Sequence, residues 1–226
     1  MNKYILIFLL LLFYTISNAQ LNYQVGTLPQ FNLSVKLNDN WKLLNKLEAR
    51  QIFQEGDFTV PPSTRFVYER TDLGTMLSRK VGDKTAMGAG YLIRLEGKTF
   101  MHRFSQQFCL KSKDKPVNFA HRFLFDQSIE KEEPITFRLR YRISTELPLT
   151  AAKVEPKSAY LKLSNEYLGI ADVTALTAEI RGGLMLGYVF CPQSKIEFGL
   201  DYRLKDFVEA EATHQFWIYL GVSVSI

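Results

Sequence analysis

From Ile135 to Leu147 the chain reads ITFRLRYRISTEL, and its apolar and polar residues alternate almost without a break. Ile135, Phe137, Leu139, Tyr141, Ile143 and Leu147 fall on odd positions, and Thr136, Arg138, Arg140, Arg142, Ser144 and Glu146 on even ones. Side chains on a strand alternate faces with a period of two, so this stretch is a strand with one apolar and one charged face. A helix would scatter the three arginines around its cylinder. Lys195 to Lys205 repeats the pattern, with Ile196, Phe198, Leu200, Tyr202 and Leu204 opposite Glu197, Gly199, Asp201, Arg203 and Lys205. Thr213 to Ile226 carries it to the last residue, and Thr85 to Glu96 is equally regular.

Weaker alternation adds Phe31 to Leu37, Trp41 to about Phe53, Phe66 to Val81, Thr99 to Lys111, Asn118 to Ile129, Ala159 to Leu168 and Thr177 to Phe190. Tight turns at Asn38-Asp39-Asn40, Gly82-Asp83-Lys84 and Gly97-Lys98 separate them, as antiparallel neighbours require. A long loop is expected over Glu55 to Arg65, with Pro61-Pro62 inside it. The strand from Phe66 alternates least well, with Tyr68, Arg70, Asp72 and Gly74 assigned to its polar side. Eleven strands are visible. A single-chain bacterial barrel in a membrane normally has an even number. Twelve strands are therefore expected, with ten as the alternative, and either a short extra strand in residues 20–29 or a lead segment threading the lumen.

Two environments accept such strands. In a soluble sandwich or barrel the apolar faces line a core. In an outer-membrane barrel they meet lipid and the charges face the lumen. The charged face decides for the second. It carries Arg50, Arg70, Arg94, Arg103, Arg122, Arg138, Arg140, Arg142, Arg181 and Arg203 beside Glu48, Asp72, Asp126, Glu146, Glu166, Glu179, Glu197 and Asp201. Opposite signs recur on neighbouring strands, as a narrow lumen filled by ion pairs needs. The apolar faces of five or six residues match strands of roughly 9–11 residues that cross a bilayer. The fold expected is all-β, a transmembrane antiparallel up-and-down barrel.

Composition adjusts this picture in three places. Residues 1–19 join a short positive start, an apolar run from Tyr4 to Ile16 and the small residues Ser17 and Ala19, which reads as a signal peptide cleaved before Gln20. That leaves 20–226 as the barrel domain, addressed to the outer membrane of a two-membrane bacterium. Seventeen Phe, eleven Tyr and two Trp suit lipid faces and interfacial girdles. The net charge of +5 is spread along strands rather than clustered, so nucleic acid is not an expected partner. Cys109 and Cys191 show no pairing pattern and are read as free thiols. No cofactor or metal site is expected.

Trp41 and LEAR (Leu47–Arg50), YERTDLG (Tyr68–Gly74), AHRF (Ala120–Phe123), FRLRYR (Phe137–Arg142) and NEYL (Asn165–Leu168) resemble motifs of an outer-membrane barrel family catalogued as domain of unknown function 2490. The resemblance implies a barrel in the outer membrane and carries no assigned activity. The terminal alternation also looks like the signal read by the barrel-assembly machinery, although Ile226 stands where an aromatic is usual. The expected partners are therefore outer-membrane lipid, that machinery and small solutes.

Three roles compete. The first is a structural barrel or narrow pore with an Arg-rich lumen, where a salt-bridged plug is favoured over an open anion path. The second is a membrane-embedded lipid-modifying hydrolase. His102, His121 and His214 are its candidate bases, but Phe104, Phe123 and Phe216 stand two residues on, where a same-face serine would be needed. The third is a soluble exported barrel that binds an apolar ligand. No residue is assigned as catalytic. The glycines at 88, 90, 182, 183, 187, 199 and 221 are expected to serve bends or close packing in the wall.

Overall fold

In a computed structural model, described over residues 22–57, 63–114, 117–173, 175–207 and 212–226, the chain is an all-β closed barrel. The expected signal peptide, Pro61-Pro62 and Lys115-Pro116 lie outside those residues. Eleven strands run up and down: β1 (Asn22–Lys36), β2 (Trp41–Asp57), β3 (Ser63–Lys80), β4 (Thr85–Glu96), β5 (Thr99–Asp114), β6 (Val117–Glu130), β7 (Thr136–Pro148), β8 (Ser158–Ala171), β9 (Leu176–Cys191), β10 (Ser194–Lys205) and β11 (Thr213–Ser225). The Asn38 side chain accepts hydrogen bonds from the Asn40 and Trp41 amides, closing the β1–β2 turn. Gly97, at φ +60°, supplies the left-handed residue of the two-residue β4–β5 turn.

The count is eleven, rather than twelve or ten, among the described residues. An odd meander ends with its first and last strands pointing the same way, so closure must be parallel. β1 and β11 pair in parallel from Asn22↔Thr213 to Ser34↔Ser225, and Ile226 continues the ladder by donating to Ser34 O at 2.8 Å. No extra strand occupies 22–29 and no lead segment threads the lumen there, because these residues form the first half of β1. Their alternation was hidden for physical reasons. Leu28 points inward, the ladder to β2 shifts at Val25/Gly26, and Pro29 lacks the N–H that ladder needs.

Two further differences come from backbone irregularity. β2 and β3 reach to Asp57 and back to Ser63, so most of the expected Glu55–Arg65 loop is strand. In β3, Arg70 faces Arg50 but Gln51 faces Tyr68, so Glu69 is an extra residue and the faces swap there. Tyr68 is consequently exposed and donates to Leu95 O at 3.2 Å, while Arg70 turns inward. That bulge explains the poor alternation of the strand.

The polarity of the wall is clear on β7. Phe137 and Leu139 are 45% and 63% exposed, whereas the side chains of Arg138 and Arg140 are only 11% and 16% exposed. Each of the eleven strands presents at least one large exposed apolar residue, from Phe31 on β1 through Leu73, Phe104, Leu186 and Phe198 to Leu220 on β11. The buried residues inside include Glu48, Arg50, Asp72, Arg103, Asp126, Glu166, Glu179, Glu197 and Arg203. The barrel is apolar outside and charged inside.

Candidate functional site

The interior charges are organised by register. On one level Arg122 of β6, Arg142 of β7, Glu166 of β8, Arg181 of β9 and Arg203 of β10 stand side by side. Glu166 sits among four arginines: it accepts from Arg142 Nε at 2.7 Å, Arg122 Nη2 at 3.0 Å and Arg181 Nη1 at 3.3 Å, with Arg140 Nη1 at 3.9 Å. Nearer the β6–β7 loop, Asp126 pairs with Arg138 at 3.0 Å and Arg140 at 2.7 Å and accepts from the Ser105 hydroxyl. Arg103 donates its Nε–H to Ser128 Oγ at 2.8 Å and has no carboxylate within 4.0 Å among the described residues. On this wall, five arginines (Arg103, Arg122, Arg138, Arg140 and Arg142) share two buried carboxylates. The Nε–H groups of Arg122, Arg138 and Arg140 are buried without a partner.

Elsewhere the pairing is closer to one to one. Arg94 grips Asp72 with two bonds of 2.7 and 2.9 Å, and Arg181 holds Glu179 at 2.7 and 3.0 Å. Arg50 and Lys46 flank Glu48, Lys162 meets Glu197 at 2.9 Å, and Arg203 meets Asp201 at 2.5 Å. Arg70 has looser partners, Glu69 at 3.6 Å and Glu96 at 3.8 Å. A cavity of about 470 Å³ opens among these groups, lined by Arg50, Arg70, Asp72, Arg94, Arg103, Arg122, Arg138, Arg140, Arg142, Arg181, Asp201 and Arg203. Asp126, Glu166, Glu179 and Glu197 stand behind it as ion-pair partners of its cations. Glu146 is set apart and meets Lys195 at 3.1 Å, with its side chain 39% exposed.

Sequence reasoning missed an apolar cluster inside the barrel. It joins the fully buried Trp217 to Leu28, Ile52, Met185 and Tyr219, which are nearly so, and Tyr160 is fully buried separately. Inward glycines make the room. A Cβ at Gly26 would lie 2.6 Å from the Trp217 ring, and one at Gly187 would enter the ring of Tyr160. Each glycine stands directly opposite its aromatic in the ladder. Tyr160 donates to Glu197 at 2.7 Å, and the Arg50 guanidinium lies 5.3 Å from the Trp217 ring centroid, so the cluster is tied into the ion pairs around it. The signal that finds it is parity: Trp217 and Tyr219 share the face of Gly221, Ser223 and Ser225.

The three histidines lie on the outer face in one repeated arrangement. His102, His121 and His214 Nδ1 lie 2.6, 2.9 and 2.8 Å from the hydroxyls of Tyr91, Tyr141 and Tyr202. Each tyrosine stands directly opposite the phenylalanine two residues after the histidine, Phe104, Phe123 or Phe216, with ring centroids 5.2, 4.9 and 5.3 Å apart. All three sit within the first few residues of their strands. The group that meets each Nδ1 is a phenol, not the carboxylate that orients the base of a serine hydrolase. Cys109 and Cys191 are free.

No curated protein and no solved structure matches the chain. A family model described as "Protein of unknown function (DUF2490)" matches residues 25–221, nearly the whole described barrel. The chain belongs to the DUF2490 family.

Proposed function

We propose that this protein is a barrel of the outer membrane in a two-membrane bacterium, with its outer face in lipid and its lumen constricted by ion pairs, by the apolar cluster around Trp217 and by the buried Tyr160. The observation that carries the reading is the belt of exposed apolar side chains on all eleven strands around a charged interior. Soluble monomers rarely expose continuous apolar patches beyond a few hundred Å², and lipid is the solvent for which this polarity is favourable. The Tyr–His–Phe groups near strand ends support it, since amphipathic rings gather where acyl chains give way to headgroups. The lumen then acts as a constricted chamber, and conductance is expected to be small or absent.

Cell fractionation tests the location. The full chain is expected in the outer-membrane fraction, resisting carbonate extraction and needing detergent for release. Recovery in a detergent-free soluble fraction would defeat it. Planar-bilayer recording tests the constriction, and large open steps from the unmodified protein would contradict it.

A further inference from the structure

We infer that the arginine wall of β5–β8 is a binding site for a small multivalent oxyanion of the phosphate or sulfate kind. The inference deepens the chamber reading above and rests on the closed barrel rather than on its membrane location. The wall has a local excess of cations: Arg103, Arg122, Arg138, Arg140 and Arg142 share only Asp126 and Glu166. It also has an excess of donors. Arg103 is 6% exposed with no carboxylate within 4.0 Å among the described residues, and the Nε–H groups of Arg122, Arg138 and Arg140 are buried without an acceptor there. Buried donors in a folded protein ordinarily have partners, and an orphaned set beside a cavity points to an ion that supplies acceptors.

The cavity of about 470 Å³ is ample for such an ion and is lined by all five arginines. Guanidinium forks match the oxygens of phosphate and sulfate with paired, charge-assisted hydrogen bonds, which favours these ions over chloride. On the β8–β11–β2 side, Trp217, Tyr219, Leu28 and Met185 occupy the lumen, and Arg50, Lys162, Arg181 and Arg203 each meet a carboxylate.

The test uses the purified full chain in detergent, titrated calorimetrically with sodium phosphate and sodium sulfate against sodium chloride of equal ionic strength. Saturable binding of either oxyanion, with a melting temperature that rises with its concentration, is expected. The double variant Arg103→Gln/Arg138→Gln is expected to bind about tenfold more weakly or worse. Arg103→Lys keeps the charge but loses the fork, so it should fall between them, and it serves alone if the double variant does not fold. Lys195→Gln, a rim residue outside the cavity lining, should stay within about twofold. No saturation beyond the chloride response would overturn the site, as would equal affinity in the arginine variants or an equal loss in Lys195→Gln. Because the titration is run in detergent, a negative result leaves the membrane reading intact. A soluble protein that binds phosphate would fail only the fractionation.

Discussion

Two walls of one lumen solve the problem of a filled barrel in opposite ways. On β5–β8 the interior is a sheet of guanidinium groups held by Asp126 and Glu166. From β8 through β11 to β2 it is Trp217, Tyr160, Tyr219, Leu28, Ile52 and Met185, seated over glycines and fringed by paired charges. The second wall is packed like a protein core, and its residues fix one another by shape. The first is held by electrostatics with too few anions, so it stays open and positive. Stability and recognition are thus separated around the circumference: one side closes the barrel, and the other is left with unspent hydrogen-bonding capacity.

The sharpest break is expected at Glu166. Glu166→Gln removes the charge that four arginines surround, and stranding buried like charges typically costs about 3–5 kcal/mol. Arg142→Gln, in contrast, leaves Glu166 with three arginines and should cost well under half as much. Chemical denaturation of both variants in the same detergent checks the asymmetry. On the other wall, Trp217→Ala should cost about 3–5 kcal/mol from lost burial and the cavity it leaves. It should not weaken the arginine wall's hold on phosphate. If it does, the two walls are not separate.

Smaller effects test the outer face. Leu139→Arg places a charge on the apolar belt in the first third of β7 and should destabilise the barrel in bilayers by about 1–2 kcal/mol, between the cost at the midplane and that at the interface. The same change on a water-facing strand would be nearly neutral. Tyr141→Phe removes the hydroxyl partner of His121 and should cost about 0.5–1.5 kcal/mol, seen as a small shift in the denaturation midpoint.

Much of this was legible because strand parity is unforgiving. FRLRYR on β7 and the alternation of β10 determine which side chains share a face, so the inward arginines follow once the barrel closes. What was hidden lies where parity slips or where the inward residue is apolar. Glu69 inserts one extra residue and sends Tyr68 outward. Gly26, Leu28 and Pro29 mask the first half of β1, and with it the parallel seam to β11 that makes an odd count close. Parity already turns Trp217 inward, but the aromatic wall escaped notice because nothing along the chain shows that Gly26 and Gly187 stand opposite Trp217 and Tyr160 and leave room for their rings. Distance is also invisible in sequence: nothing along the chain says that Glu166 gathers four arginines while Arg103 meets no carboxylate within 4.0 Å among the described residues.

The central claim is the polarity of the wall, and brominated-lipid quenching of single-tryptophan variants tests it most directly. One variant keeps Trp217 and carries Trp41→Phe. The other carries Leu139→Trp with both native tryptophans replaced by Phe. In vesicles of lipids brominated along the acyl chain, the tryptophan at 139 should be strongly quenched and Trp217 should keep its emission. Quenching of Trp217 with an unaffected signal from position 139 would contradict the account.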